Sequence, residues 1–128
     1  MDIKKKELEV KRDIRGSLYE VLRPEDVGEG KFGQILITTA KPGQKKGGHY
    51  HLRKREWYCV ISGDAKIEFE NPKTHEKIEI RVTAEKPCVV EMPKGILHSI
   101  ENIGSGEMTL LVYINESYRS NDPDTFRS

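Results

Sequence analysis

Net charge is nearly absent from this chain. Lys and Arg total 22 and Asp and Glu total 21, leaving +1. A protein built to bind nucleic acid or an anionic membrane surface carries a basic excess, so neither partner is expected. Long apolar runs are missing as well. The longest, Trp57 to Ile61 and Leu110 to Ile114, fall far short of the ~20 residues that cross a bilayer. The basic N-terminal segment is not followed by an apolar stretch, so no signal peptide is read there and a cytoplasmic location is expected. Cysteine is scarce. Cys59 and Cys88 stand in apolar stretches, at no metal or redox spacing, and read as buried thiols. The 128 residues suit one compact domain, residues 1–128, with chain enough to bury a real core.

A helical period is also lacking. Alternation takes its place. Ala65, Ile67 and Phe69 alternate with charged residues, as do Ile78, Ile80 and Val82, and both segments predict half-buried strands. Ile35 to Thr39 reads as a short strand. Trp57–Ile61, Val89–Met92 and Met108–Ile114 are apolar enough for interior strands. Turn signals separate them at Lys41-Pro42-Gly43, Ser62-Gly63-Asp64, Asn71-Pro72-Lys73, Met92-Pro93-Lys94-Gly95 and Gly104-Ser105-Gly106. Short strands with regular turns predict an all-β sandwich or barrel. The stretch after Ile114 is polar and is expected on the outside.

Histidine is rare but patterned. Of four histidines, three fall in two ordered segments: Gly43-(5)-His49-x-His51-(4)-Glu56-(6)-Gly63, then Pro93-x-Gly95-(2)-His98-(3)-Asn102. Residues two apart on an extended chain share a face, so His49 and His51 point the same way. Glu56 can return to that face past a loop, and His98 can close the set from another strand. Three imidazoles and a carboxylate suit a divalent ion with a position left open. Zinc is the first expectation, with iron, manganese, nickel or cobalt as alternatives. His75, just past a hairpin turn, reads as solvated. Lys45, Lys46, Arg53, Lys54 and Arg55 surround the first segment and could hold a diphosphate at a barrel mouth.

The two segments resemble the two cupin motifs, with Pro87 in place of the usual leading glycine of the second. This resemblance implies a single cupin jelly-roll barrel with the ion near its centre. Asp13-Ile14-Arg15-Gly16-Ser17-Leu18-Tyr19-Glu20 is similar to a stretch near the start of dTDP-4-keto-rhamnose 3,5-epimerases, where the Arg and Glu belong to the nucleotide-sugar pocket. Asn115-Glu116-Ser117-Tyr118, Pro123-Asp124-Thr125-Phe126 and Gly47-Gly48-His49-Tyr50-His51 resemble the C-terminal cupin domain of bifunctional capsular polysaccharide enzymes, which pair it with a UDP-4-keto-sugar reductase domain.

That likeness implies a metal-binding homodimer that epimerises C3 of a nucleotide-linked 4-keto-6-deoxy sugar, with any reduction left to a separate reductase. It implies substrate-binding roles for Arg15 and Glu20. Lys45 is assigned to the substrate from the basic segment. Tyr113 lies where the rhamnose-type epimerases carry their acid tyrosine, though an ordinary strand aromatic reads equally well. His49 stands where those metal-free enzymes have their base, and Glu56 where they have a lysine. An anionic ligand there favours metal, and leaves the base unassigned. A metal-dependent dioxygenase and a non-catalytic sugar-binding cupin stay open. Trp57, Cys59 and Ile61 face away from Glu56, so a second subunit or the N-terminal strand must cover them.

Overall fold

The computed structural model describes residues 1–28 and 32–127. Eleven strands dominate, in chain order β1 (Lys5–Glu7), β2 (Lys11–Asp13), β3 (Gly16–Leu18), β4 (Gln34–Ala40), β5 (Lys45–His49), β6 (Glu56–Ser62), β7 (Asp64–Glu70), β8 (Lys77–Thr83), β9 (Cys88–Met92), β10 (Leu97–Asn102) and β11 (Met108–Ile114). Among the described residues one short helix, α1 (Pro24–Val27), lies between β3 and β4. Among the described residues, no helix is long and apolar enough to cross a membrane.

Two antiparallel sheets form the barrel. One runs β1-β9-β6-β11-β4 and the other β5-β10-β7-β8. Alternation decides what each strand buries. On β7, Ala65, Ile67 and Phe69 point inward and are at most 1% exposed. On β11 the inward set is Met108, Leu110, Val112 and Ile114. These meet Val90 and Met92 of β9 and Ile100 of β10 between the sheets. Each such Leu, Ile or Phe contributes about 1.5–3 kcal/mol through burial. The interior strands and the free, buried Cys59 and Cys88 match the sequence reading. His75 is exposed at its hairpin, as expected.

Strand β6 is buried on both faces as far as Val60, and its outer face follows the N-terminal-strand alternative at Trp57. Trp57 and Cys59 are covered by their own chain, at 3% and 1% exposure. Ile3, Val89 and Asp26 line the surface around Trp57, and the Arg55 guanidinium lies 4.7 Å from its ring centre. The apolar residues left open include Ile35 and Ile37, on edge strand β4, and Ile61.

Strands β2 and β3 form a hairpin that joins neither large sheet. All six strand residues are exposed, and Ile14 at the tip is fully so.

Candidate metal centre

The motif residues converge because of a bulge. Strand β5 pairs with β10 so that His49 faces His98, but Ser99 then faces Gly47, leaving Gly48 unpaired. Gly47 and Gly48 take φ of 100° and 79°, a region that side chains with a Cβ rarely adopt. A Cβ on Gly47 would lie 2.8 Å from the His98 carbonyl oxygen. The bulge turns His49 onto the face of His98, with ring centres 4.9 Å apart. The Pro93–Gly95 turn does the rest: the Gly95 amide donates to the His51 carbonyl at 2.7 Å. Asn102, the last residue of the second motif, has a packing task. Its amide donates to the Ala40 and Gly106 carbonyls, both at 2.8 Å.

His49, His51, Glu56 and His98 each offer one donor atom, and all four lie within 4.8 Å of one another. Glu56 Oε1 is the hub, 2.8 Å from His51 Nε2 and 3.2 Å from His98 Nε2. Burial would favour the neutral acid, but the hydrogen bond from His51 and the closeness of the His98 ring outweigh it and pull Glu56 down to about 2. Burial, with His98 and His51 beside it, depresses His49 to about 4. His49 is therefore a neutral imidazole near pH 7, with one ring nitrogen lone pair to offer. Burial also opposes charge on His51, yet the Glu56 hydrogen bond holds it above its ordinary value.

Three buried ring nitrogens, Nδ1 of His49 and both nitrogens of His98, have no hydrogen-bond partner. Unpaired polar atoms inside a protein cost about 1–3 kcal/mol each. An anionic carboxylate among imidazoles with spare lone pairs is the donor set a divalent cation satisfies. The residues present therefore fit an ion.

Other expected site residues are elsewhere. Tyr113 is on the outer face of β11, paired with Trp57 and opposite in facing to Val112 and Ile114. Its ring lies 5.7 Å from that of Trp57, and its hydroxyl accepts the Gly33 amide at 3.2 Å. Tyr113 is thus apart from the cluster, and lines a cavity with Phe32, Arg55 and Asn115. The tyrosine inside is Tyr58, buried, with its ring edge-on to His98 at 5.7 Å. Arg15 sits on the β2–β3 turn, bonded to Asp13 at 2.6 Å. Glu20 pairs with Arg23 at 3.1 Å. Lys45, at the far end of β5 from His49, approaches Glu68 at 3.6 Å.

The surrounding basic residues are engaged too. Arg53 binds Glu116 and Asp122, Arg55 binds Glu91, and Lys46 binds Thr38. Lys54 is buried, its ammonium 5.3 Å from the Tyr118 ring centre.

The polar tail carries a residue that sequence reading missed. Asp124 is buried, and its carboxylate accepts the amides of Leu52, Arg53 and Lys54 at 3.2, 2.9 and 2.8 Å. Its carbonyl accepts a hydrogen bond from His51 Nδ1 at 2.7 Å. The Pro-Asp-Thr-Phe string was visible as a signal, but polarity alone suggested a solvated surface.

Barrel and cluster together define a cupin with a candidate metal centre. The solved structures agree on the fold. A dTDP-6-deoxy-D-glucose-3,5-epimerase, RmlC, from Legionella pneumophila superposes with a TM-score of 0.82 at 18% identity, covering 98% of this chain and 71% of that one. The chain belongs to the polysaccharide biosynthesis C-terminal domain family, whose family model matches residues 11–126. It is 38% identical over 114 residues to a UDP-2-acetamido-2,6-beta-L-arabino-hexul-4-ose reductase of Pseudomonas aeruginosa, covering 89% of this chain and 29% of that protein. It is 36% identical to the capsular polysaccharide assembling protein CapF of Staphylococcus aureus, with a TM-score of 0.74 over 94% of this chain and 34% of that one. The chain thus spans about a third of the length of these two relatives.

Proposed function

We propose that this chain is a metal-dependent cupin epimerase of surface-polysaccharide synthesis, acting at C3 of a nucleotide-linked 4-keto-6-deoxy sugar. The observation that carries the proposal is the His49–His51–Glu56–His98 cluster, buried at all but the half-buried His49, in a chain of this family. A divalent ion held there, zinc foremost, would supply a Lewis acid for the oxygen anion that forms when a ketone loses its neighbouring proton. Glu56 stays ionised and His49 stays neutral near pH 7, the states ligation needs of them, while His51 would give up its Nε2 proton to the ion. The sheets keep bulk water from the cluster, which strengthens every charge interaction made inside it.

Arg15 and Glu20 lie beyond their own cluster, on and just after the free hairpin. They serve the nucleotide only across a homodimer, in which the β2–β3 arm reaches a second copy. The open Ile35 and Ile37 on edge strand β4 support such pairing. Reduction of the product falls to a separate reductase activity. Two free, buried cysteines fit the reducing cytoplasm.

One second reading has an observation behind it. Tyr113 faces away from the cluster, which supports a sugar-binding cupin without catalysis. Metal analysis of the pure protein, beside binding assays with UDP and dTDP, tests the proposal. Bound divalent metal and tight nucleotide binding are expected. A metal-free protein that binds neither nucleotide contradicts it, and bound iron with oxygen consumption points to a dioxygenase.

A further inference from the structure

We infer that Asp124 is a positioning residue for the metal centre: it clasps the tail onto the histidine loop and fixes the His51 ring in the tautomer that ligates. The inference rests on the metal-binding reading above and adds a control point outside the cupin motifs.

The geometry is specific. A carbonyl oxygen has no proton, so His51 Nδ1, 2.7 Å from the Asp124 carbonyl, must carry the hydrogen of that bond. Without an ion, Nε2 donates to the ionised Glu56 Oε1 at 2.8 Å; an ion that displaces this proton finds the lone pair on Nε2, turned into the cluster, while Nδ1 keeps its own hydrogen. The carbonyl is held in turn by its own side chain. Three consecutive amides, from Leu52 to Lys54, converge on the Asp124 carboxylate. Those bonds hold the backbone at φ 48°, a left-handed conformation that Asp tolerates better than most residues. Loop 52–54 is also the segment between His51 and Glu56, so one carboxylate sets the separation of two candidate ligands.

The rest of the tail reinforces the clasp. Tyr50, between the two histidines, exchanges both backbone hydrogen bonds with Phe126, at 2.9 and 3.0 Å, and their rings stack at 5.5 Å. Arg127 donates to the Gly47 carbonyl at 3.2 Å, on the bulge itself. Arg53 is tied to Glu116 and Asp122 of the same segment.

The test measures zinc affinity by chelator competition for the wild type, Asp124→Ala and Asp124→Asn. It also measures the His51 tautomer by nitrogen-15 NMR in the zinc-loaded protein. Asp124→Ala should bind zinc about 10–100-fold more weakly, as loss of an outer-sphere partner does. Asp124→Asn keeps an acceptor oxygen and should recover part of the loss. The wild type should show a protonated Nδ1 on His51. A merely structural Asp124 would lower folding stability with and without zinc, and leave the affinity of the folded protein alone. An Asp124→Ala protein that is folded and binds zinc as the wild type does overturns the inference. A zinc-loaded wild type with the proton on His51 Nε2 overturns it too, whether or not the variants fold. Failure of the wild type itself to bind zinc removes the metal centre and this inference with it, a result distinct from either of the others.

Discussion

His98 has neither ring nitrogen paired and is 2% exposed, so in the metal-free chain it costs stability. Metal reverses that sign. At metal concentrations ~100-fold above Kd, binding stabilises the folded state by about 2.7 kcal/mol. His98→Ala should abolish this gain while leaving the metal-free protein close to its original midpoint, because the deletion removes unpaired atoms along with the ring. Thermal unfolding with and without zinc measures both. A second residue-scale prediction concerns pH. His49 titrates at about 4 when folded and near 6.5 when unfolded. Its contribution is full above pH 6.5 and is lost as pH falls towards 4, because the unfolded chain takes a proton that the folded one refuses. Glu56, lowered from 4.5 to about 2, extends the loss below pH 4.5. His51 acts oppositely: its raised folded value stabilises below the unfolded one and fades as pH rises through it. Denaturant midpoints of the metal-free protein should therefore fall between pH 6.5 and 4, and His49→Gln should flatten that interval.

At the scale of elements, the β5 bulge brings the site together. Gly47→Ala forces a Cβ against the His98 carbonyl at φ 100°. Strain of that kind costs about 1–3 kcal/mol, so the variant should unfold at lower denaturant and bind metal more weakly. An unchanged midpoint and affinity would show that the bulge is adaptable. The same elements show what the sequence makes legible. Alternation on β7 revealed its facing because one side is wet. Motif spacing revealed the four clustered residues because two short ordered segments carry them all, though not the bulge that turns them together. The facing of Tyr113 was not legible: Leu110 to Ile114 is apolar throughout, since the outer face of β11 packs on Trp57 as its inner face packs on the core. The ion pairs that occupy Lys45, Arg53 and Arg55 depend on partners 23 to 69 residues away, which no local pattern displays. Asp124 was hidden for the same reason, a polar residue buried by backbone amides 70 or more positions earlier.

The whole molecule leaves two features unused by a lone chain, the β2–β3 arm and the β4 edge. An isolated two-stranded hairpin is marginal in water, and Ile14 and Leu18 on this one are exposed. A homodimer that covers arm and edge needs about 800 Å² from each partner. Light scattering should then give twice the chain mass of 14.7 kDa, and Ile37→Glu should shift the protein towards monomer. A monomer at micromolar concentration would leave Arg15 and Glu20 without a site to serve.

Hydrogen exchange into a nucleotide-linked 4-keto-6-deoxy sugar in deuterated water tests the central claim most directly, followed by proton NMR with metal-replete and metal-stripped protein. The ketone acidifies only its neighbouring carbons, and the cluster provides for the resulting anion only when an ion is held. Exchange at C3 is expected with the replete protein, and its loss is expected on stripping or in the Glu56→Gln variant. Absence of exchange with both UDP- and dTDP-linked substrates in metal-replete protein would contradict the epimerase and leave a sugar-binding cupin.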